Sequence, residues 1–149
     1  MNAALSAQDE TVTLLLSMGA SPDKTDDGGA TALIFAIQSK CLTTINQLAP
    51  VTQVNLGGAL EFLARYKIEV MTGELRQLVE RAAQDREAAI NGIEAAAKLG
   101  SNKMIEALAQ FTKDNSMFEE KKHLVFIQNK FSTVIPWRPA LQMRLQGQI

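Results

Sequence analysis

The chain has 149 residues, 15 Lys and Arg against 16 Asp and Glu, one His and one Cys, with 46% hydrophobic and 5% aromatic residues. That length suits one domain with a sizeable core, and a net charge of −1 removes the bulk attraction to phosphate on which non-specific nucleic-acid binding depends. One cysteine cannot form an intramolecular disulfide, the opening MNAALSAQDE lacks the basic and apolar regions of a secretory signal, and no apolar run approaches the roughly 18 residues of a spanning helix; no membrane insertion and a cytoplasmic or nuclear location are therefore expected.

Taken along the chain, an aliphatic pair spaced by three recurs as Val12/Leu15, Ile45/Leu48, Leu75/Leu78 and Ile105/Leu108, each pair offset from the one before by 33, then 30, then 30. Nine residues before each pair stand Ala3, Ala36, Tyr66 and Ala96, and three before the last three of these stand Leu33, Leu63 and Ile93. Spacing of i, i+3 puts each set on one helix face, so each unit reads as two helices forming a hairpin. Leu33, Ala36, Ile45, Leu48, Leu75, Leu78, Ala96, Ile105 and Leu108 are the expected core. The 20 Ala and 17 Leu fit helices that pack closely side by side.

Between the first two units lies GASPDKTDDGGATALIFA. Gly19 is placed to end a helix in the left-handed conformation, Gly28 and Gly29 to make a tight turn, and Thr31 to cap the helix that starts near Ala32. Asp26 is expected to hydrogen-bond within this turn, with Asp27 at its tip. The third unit, LEFLARYKIEVMTGELRQLVE, has no such loop after it, ERAAQDREAAING reads as helix, and the charges of ELRQLVERAAQDREAA form a solvated helix face.

The stretch TVTLLLSMGASPDKTDDGGATALIFAI resembles ankyrin repeats, with GATALIFA standing where that family has G-x-T-P-L-H-x-A, and IEAAAKLGSNKMIEALAQ is similar to its helix, turn and second helix. Ala32 stands in place of the usual Pro, Ile34 in place of the usual His, and Tyr66 in place of a small residue. The resemblance implies an all-α, ankyrin-like α-solenoid of about three and a half helical hairpins over residues 1–115, with at most a short β-hairpin loop. It also implies non-catalytic binding of another protein through a concave face. Its usual contact positions map onto Asp27, Ala30, Gln38, Ser39, Ile68, Glu69, Lys98 and Leu99.

Residues 116–149 read as a C-terminal capping helix and an extended tail. Ser116 and Glu119 have capping-box spacing, apolar residues continue to Phe131, and Pro136 and Pro139 bracket Trp137 and Arg138. From Lys113 onward there are 6 Lys and Arg against 3 Asp and Glu, and Trp137 and Arg138 are candidate partner anchors. The first unit starts near mid-helix, so the chain is expected to be a piece of a longer protein or to have that end covered.

Chemistry-bearing patterns are few. Cys41 and His123 are the one Cys–His combination, which thiol packing explains better; Asp23, Asp26 and Asp27 lack the ligand spacing of a cation loop; and the glycine pairs Gly28-Gly29 and Gly57-Gly58 lack a phosphate-loop pattern and suit turns. The run ELRQLVERAAQDREAA does not sustain a heptad. No enzyme, cofactor or metal site is expected. Alternatives to partner binding are self-association through the N-terminal face or the tail, and a regulatory domain attached to an enzyme or channel, with nucleic-acid binding least supported.

Overall fold

A computed structural model describes residues 1–68, 73–101, 103, 104, 107 and 108. The chain divides into two units, Met1–Thr112 and Lys113–Ile149, and every described residue lies in the first. Its helices are α1 (Asn2–Leu5), α2 (Asp9–Ser17), α3 (Ala32–Ser39), α4 (Leu42–Leu48), α5 (Leu56–Arg65), α6 (Gly73–Gln84) and α7 (Arg86–Leu99), and Lys103, Met104, Ala107 and Leu108 are again helical. Among the described residues there is no strand; the loop over 18–31 carries one isolated antiparallel bridge, Thr25 to Thr31. The protein is thus all-α in its described part.

Helices pair in sequence as α1/α2, α3/α4 and α5/α6. The first helices also meet one another, α1 on α3, α3 on α5 and α5 on α7, while α2 meets α4 and α4 meets α6. Two rows result, with the core between them. Leu33, Ala36, Ile45, Leu48, Leu75, Leu78, Ala96 and Leu108 are all at most 2% exposed, as the i, i+3 pattern requires; Ile105 lies outside the described residues.

Helix ends reveal the phase of the units. The first helices terminate in left-handed residues at Ala7 (φ 54°), Lys40 (φ 56°), Lys67 (φ 52°) and Gly100 (φ 72°). Just beyond, Gln8, Ile68 and Ser101 donate their backbone N–H groups to the carbonyls of Ala3, Leu63 and Ala96, the long-range bond of a Schellman ending. Leu63 therefore stands where Ala3, Ala36 and Ala96 stand, and the expected assignment of Tyr66 to that position is displaced by three residues. The step from Leu63 back to Ala36 is accordingly shorter than the equal steps from Ala3 to Ala36 and from Leu63 to Ala96. The stretch of chain between α5 and α6, 66–72, is longer than those between α1 and α2 or α3 and α4, so the spacing of the second helices stays as the aliphatic pairs set it. Tyr66 follows α5 and stacks on Phe62 with ring centroids 6.1 Å apart.

The loops between hairpins shorten along the chain, from 18–31 to 49–55 to Asp85 alone. In the first, Gly19 (φ 84°) ends α2 as its position implied, with Gly19 and Ala20 donating to Leu16 and Leu15. Asp26 Oδ1 accepts from the backbone N–H groups of Gly28 (3.0 Å) and Ala30 (2.7 Å), and Asp27 is exposed. Thr31 does occupy the N-cap of α3, but its hydroxyl makes no capping bond; Oγ1 is buried with no partner among the described residues. Ile34, at the N3 position, offers it none. The second loop is tied to the first: Asp23 Oδ1 accepts from Gln53 N (2.7 Å), and Asn55 Nδ2 donates to Gly29 O (2.8 Å) while its Oδ1 accepts from Gly58 N.

Two further expectations are corrected. ERAAQDREAAING is not one helix, because Asp85 accepts from Glu87 N and Ala88 N at 3.0 and 3.3 Å and starts α7. Nor do Gly57 and Gly58 form a turn. They lie in the first turn of α5, where a β-carbon on Gly57 would come within 3.1 Å of Ala88 Cα; one on Gly92 would come within 2.6 Å of Leu60 Cδ1. Small residues thus let α5 and α7 approach closely. On α6, Glu74, Arg76, Gln77 and Glu80 face solvent, whereas the half-buried Arg81 donates to the carbonyls of Ala49, Pro50 and Thr52 beyond the end of α4.

Candidate binding groove

Three consecutive first helices and the first loop enclose an open groove of about 570 Å³. Its walls follow from the repeat. On α5 the lining residues are Gly57, Gly58, Glu61, Phe62 and Arg65; at the positions equivalent to the last four in the next unit, α7 contributes Asn91, Glu94, Ala95 and Lys98. Residues spaced i, i+3, i+4 and i+7 share one helix face, so both helices turn equivalent faces to the same space. Ile34 of α3, Leu99, and the loop residues Gly28 and Ala30 complete the apolar and backbone-rich parts.

Charge alternates in the groove. Glu61 pairs with Arg65 at 2.8 Å and Glu94 with Lys98 at 4.0 Å, each an i, i+4 pair with the acid N-terminal, the favoured orientation on a helix. Both are solvent-exposed enough that each contributes only about 0.2–1 kcal/mol to stability. Their ends therefore remain cheap to redirect toward a ligand. The Arg65 guanidinium lies 5.1 Å from the centroid of Phe62, and Lys40 Nζ lies 5.5 Å from that of Tyr66, which orders an aromatic and cationic edge along α5. Mixed charge around an apolar floor suits a neutral, amphipathic chain better than a polyanion.

Of the positions singled out in the sequence, Ala30, Lys98 and Leu99 line this groove, and Asp27 is exposed beside the lining residue Gly28. Gln38, half-buried on α3, is the counterpart of Arg65 and Lys98 but is not part of the lining. Ser39 is engaged in packing, its hydroxyl bonding to Ala4 O (3.1 Å) and Ala36 O (2.9 Å) where α3 meets α1. Ile68 belongs to the ending of α5 and does not line the groove. Glu69, Trp137 and Arg138 lie outside the described residues, as does His123.

Sequence reasoning missed Arg65 because its third unit was out of phase, and it missed Glu61 and Phe62, like Glu94 and Ala95 on α7, because the contact positions implied by the resemblance do not include that part of the helix. The local match of ALIFAI (32–37) with ALEFLA (59–64) carries the correct alignment. Cys41 is an unbridged, half-buried thiol at the N-cap of α4, and the Thr44 hydroxyl lies 3.3 Å from its sulfur. Among the described residues, no three His, Cys, Asp or Glu are grouped to hold a metal, and no helix is long and apolar enough to cross a membrane. Comparison with protein-family models, curated proteins and solved structures gives no match for this chain.

Proposed function

We propose that the chain is a non-catalytic recognition module, an ankyrin-like stack that binds a segment of another protein in the groove along α3, α5 and α7. The observation that carries this reading is the recurrence, at one constant offset, of the lining set Gly58, Glu61, Phe62 and Arg65 as Asn91, Glu94, Ala95 and Lys98. A surface built from equivalent positions on stacked helices is held rigid by the core beneath it. Binding there avoids much of the ordering cost that a mobile surface incurs. The two ion pairs select a peptide carrying both charge signs about an apolar side chain that rests on Phe62 and Leu99. A cytoplasmic or nuclear location accords with this role.

Selection of a displayed random-peptide library on the full chain tests the reading. Peptides should be enriched, and their binding should fall at least about tenfold with Phe62→Ser or with Lys98→Glu, while Gln84→Ala on α6 leaves it unchanged. Enrichment of no sequence, or binding insensitive to both groove substitutions, would overturn it.

A further inference from the structure

The groove carries two charged rows that run across the stack. Glu61 of α5 and Glu94 of α7 occupy equivalent positions, as do Arg65 and Lys98 about one turn further along each helix. Packed helix axes lie about 8–10 Å apart, so each row repeats at about that distance. Within one helix the acid and the base are separated by about 6 Å, the rise of four residues. Phe62 and Ala95 form the floor between the rows. On α3 the corresponding positions hold Ile34 and Gln38, so the charges stop at α5 and the wall beyond is Ile34.

These two distances discriminate between the conformations a bound segment can take. A β-strand repeats its side chains on one side about every 6.6–6.8 Å and pairs its backbone with a sheet edge, and among the described residues there is no strand to offer one. An α-helix, about 10–12 Å across, is too wide to settle between rows about 6 Å apart. A polyproline II helix meets both requirements. With three residues per turn and a rise of about 3.1 Å each, it returns a side chain to the same side about every 9.3 Å, and water solvates its backbone.

Given peptide binding in this groove, on which the inference rests, we propose that the bound segment is a polyproline II helix lying across α3, α5 and α7, one turn to each. Over α5 and α7 every turn sends three side chains in three directions. An apolar one, proline above all, faces Phe62 or Ala95; a basic one faces Glu61 or Glu94; an acidic one faces Arg65 or Lys98. Over α3 an uncharged side chain beside Ile34 takes the basic place. Proline suits the apolar position because its ring holds φ at about −65° and sets the helix before binding, which lowers the ordering cost. Phe62, with the Arg65 guanidinium 5.1 Å from its centroid, supplies the aromatic surface on which such helices dock. Either order of the two charges fits, since reversing the running direction of the segment exchanges its flanks.

Fluorescence anisotropy of labelled nonapeptides on the full chain tests the assignment. Three repeats of Pro-Lys-Glu should bind at least about tenfold tighter than three repeats of Gly-Lys-Glu, and than a peptide with the same prolines, lysines and glutamates gathered in separate blocks. Glu61→Lys combined with Glu94→Lys makes both rows basic and should shift the preference, by about tenfold or more, to three repeats of Pro-Glu-Glu. Glu74→Lys combined with Glu80→Lys on the solvent face of α6 alters the net charge equally and should leave the preference unchanged. Binding no tighter than that of the glycine or block peptide would overturn the assignment, as would a preference that the α6 substitutions shift as far as the groove substitutions do. Library peptides that bind in the groove while Pro-Lys-Glu repeats do not would overturn this assignment alone; absence of binding by both sets would overturn the groove reading with it.

Discussion

The junction before α3 and the junction before α7 place equivalent helices by different means. Before α3, a loop over 18–31 turns on Gly29, is braced by Asp26, and bridges Thr25 to Thr31. Before α7, Asp85 alone separates two helices, and close approach of α7 to α5 at Gly57 and Gly92 sets the position instead. The first junction is held by local hydrogen bonds near solvent, each of net worth about 1 kcal/mol. The second rests on buried shape, where a displaced methyl group is felt throughout the contact. Two chemically distinct devices thus keep one stacking arrangement.

Substitutions can break this contrast, and the largest effects belong to the packed side. Leu60→Ala should destabilise by about 2–5 kcal/mol in urea unfolding, against about 1 kcal/mol or less for Tyr66→Ala. Equal losses would return Tyr66 to the core phase. Gly92→Val should lower stability by about 1–3 kcal/mol, because its side chain would meet Leu60 and Leu108; a melt matching wild type would mean that α5 and α7 are not so close. Smaller losses mark the hydrogen-bonded caps: Asp85→Ala and Asp26→Ala should each cost about 1 kcal/mol, and the second should leave amide exchange in α7 unaltered. The smallest effect has the opposite sign. Thr31→Val removes an orphaned buried hydroxyl at nearly constant shape and should raise stability by up to about 1 kcal/mol, which a rise in thermal midpoint would register.

Much of the described fold was legible in the sequence wherever apolar spacing alone decides burial. Leu33, Ala36, Ile45, Leu48 and Ala96 fall in the core for that reason, and Gly19, Gly29 and Asp26 act in the first loop as their chemistry dictates. The third unit misled because Leu60, Leu63 and Tyr66 are all spaced by three. The match of ALIFAI with ALEFLA favours the observed phase, but the ending that fixes it is at Lys67, and a lysine gives no hint of a left-handed conformation that glycine would announce. Asp85 was hidden among helix-favouring Ala, Arg and Glu. The groove was legible on α7, through Lys98 and Leu99, and illegible on α5, where the same phase error moved the expected contacts from Arg65 to Ile68 and Glu69.

The two rows of helices also bear on time. The principal packing pairs join helices one or two steps apart along the chain, so few contacts wait on the closure of long loops. Domains with such local contacts fold on the order of microseconds to milliseconds, and each hairpin can add to one already formed. A chain emerging from its N-terminus would thus complete α1–α4 while α7 is still unmade, and exposed apolar surface would pass from one hairpin to the next rather than accumulate.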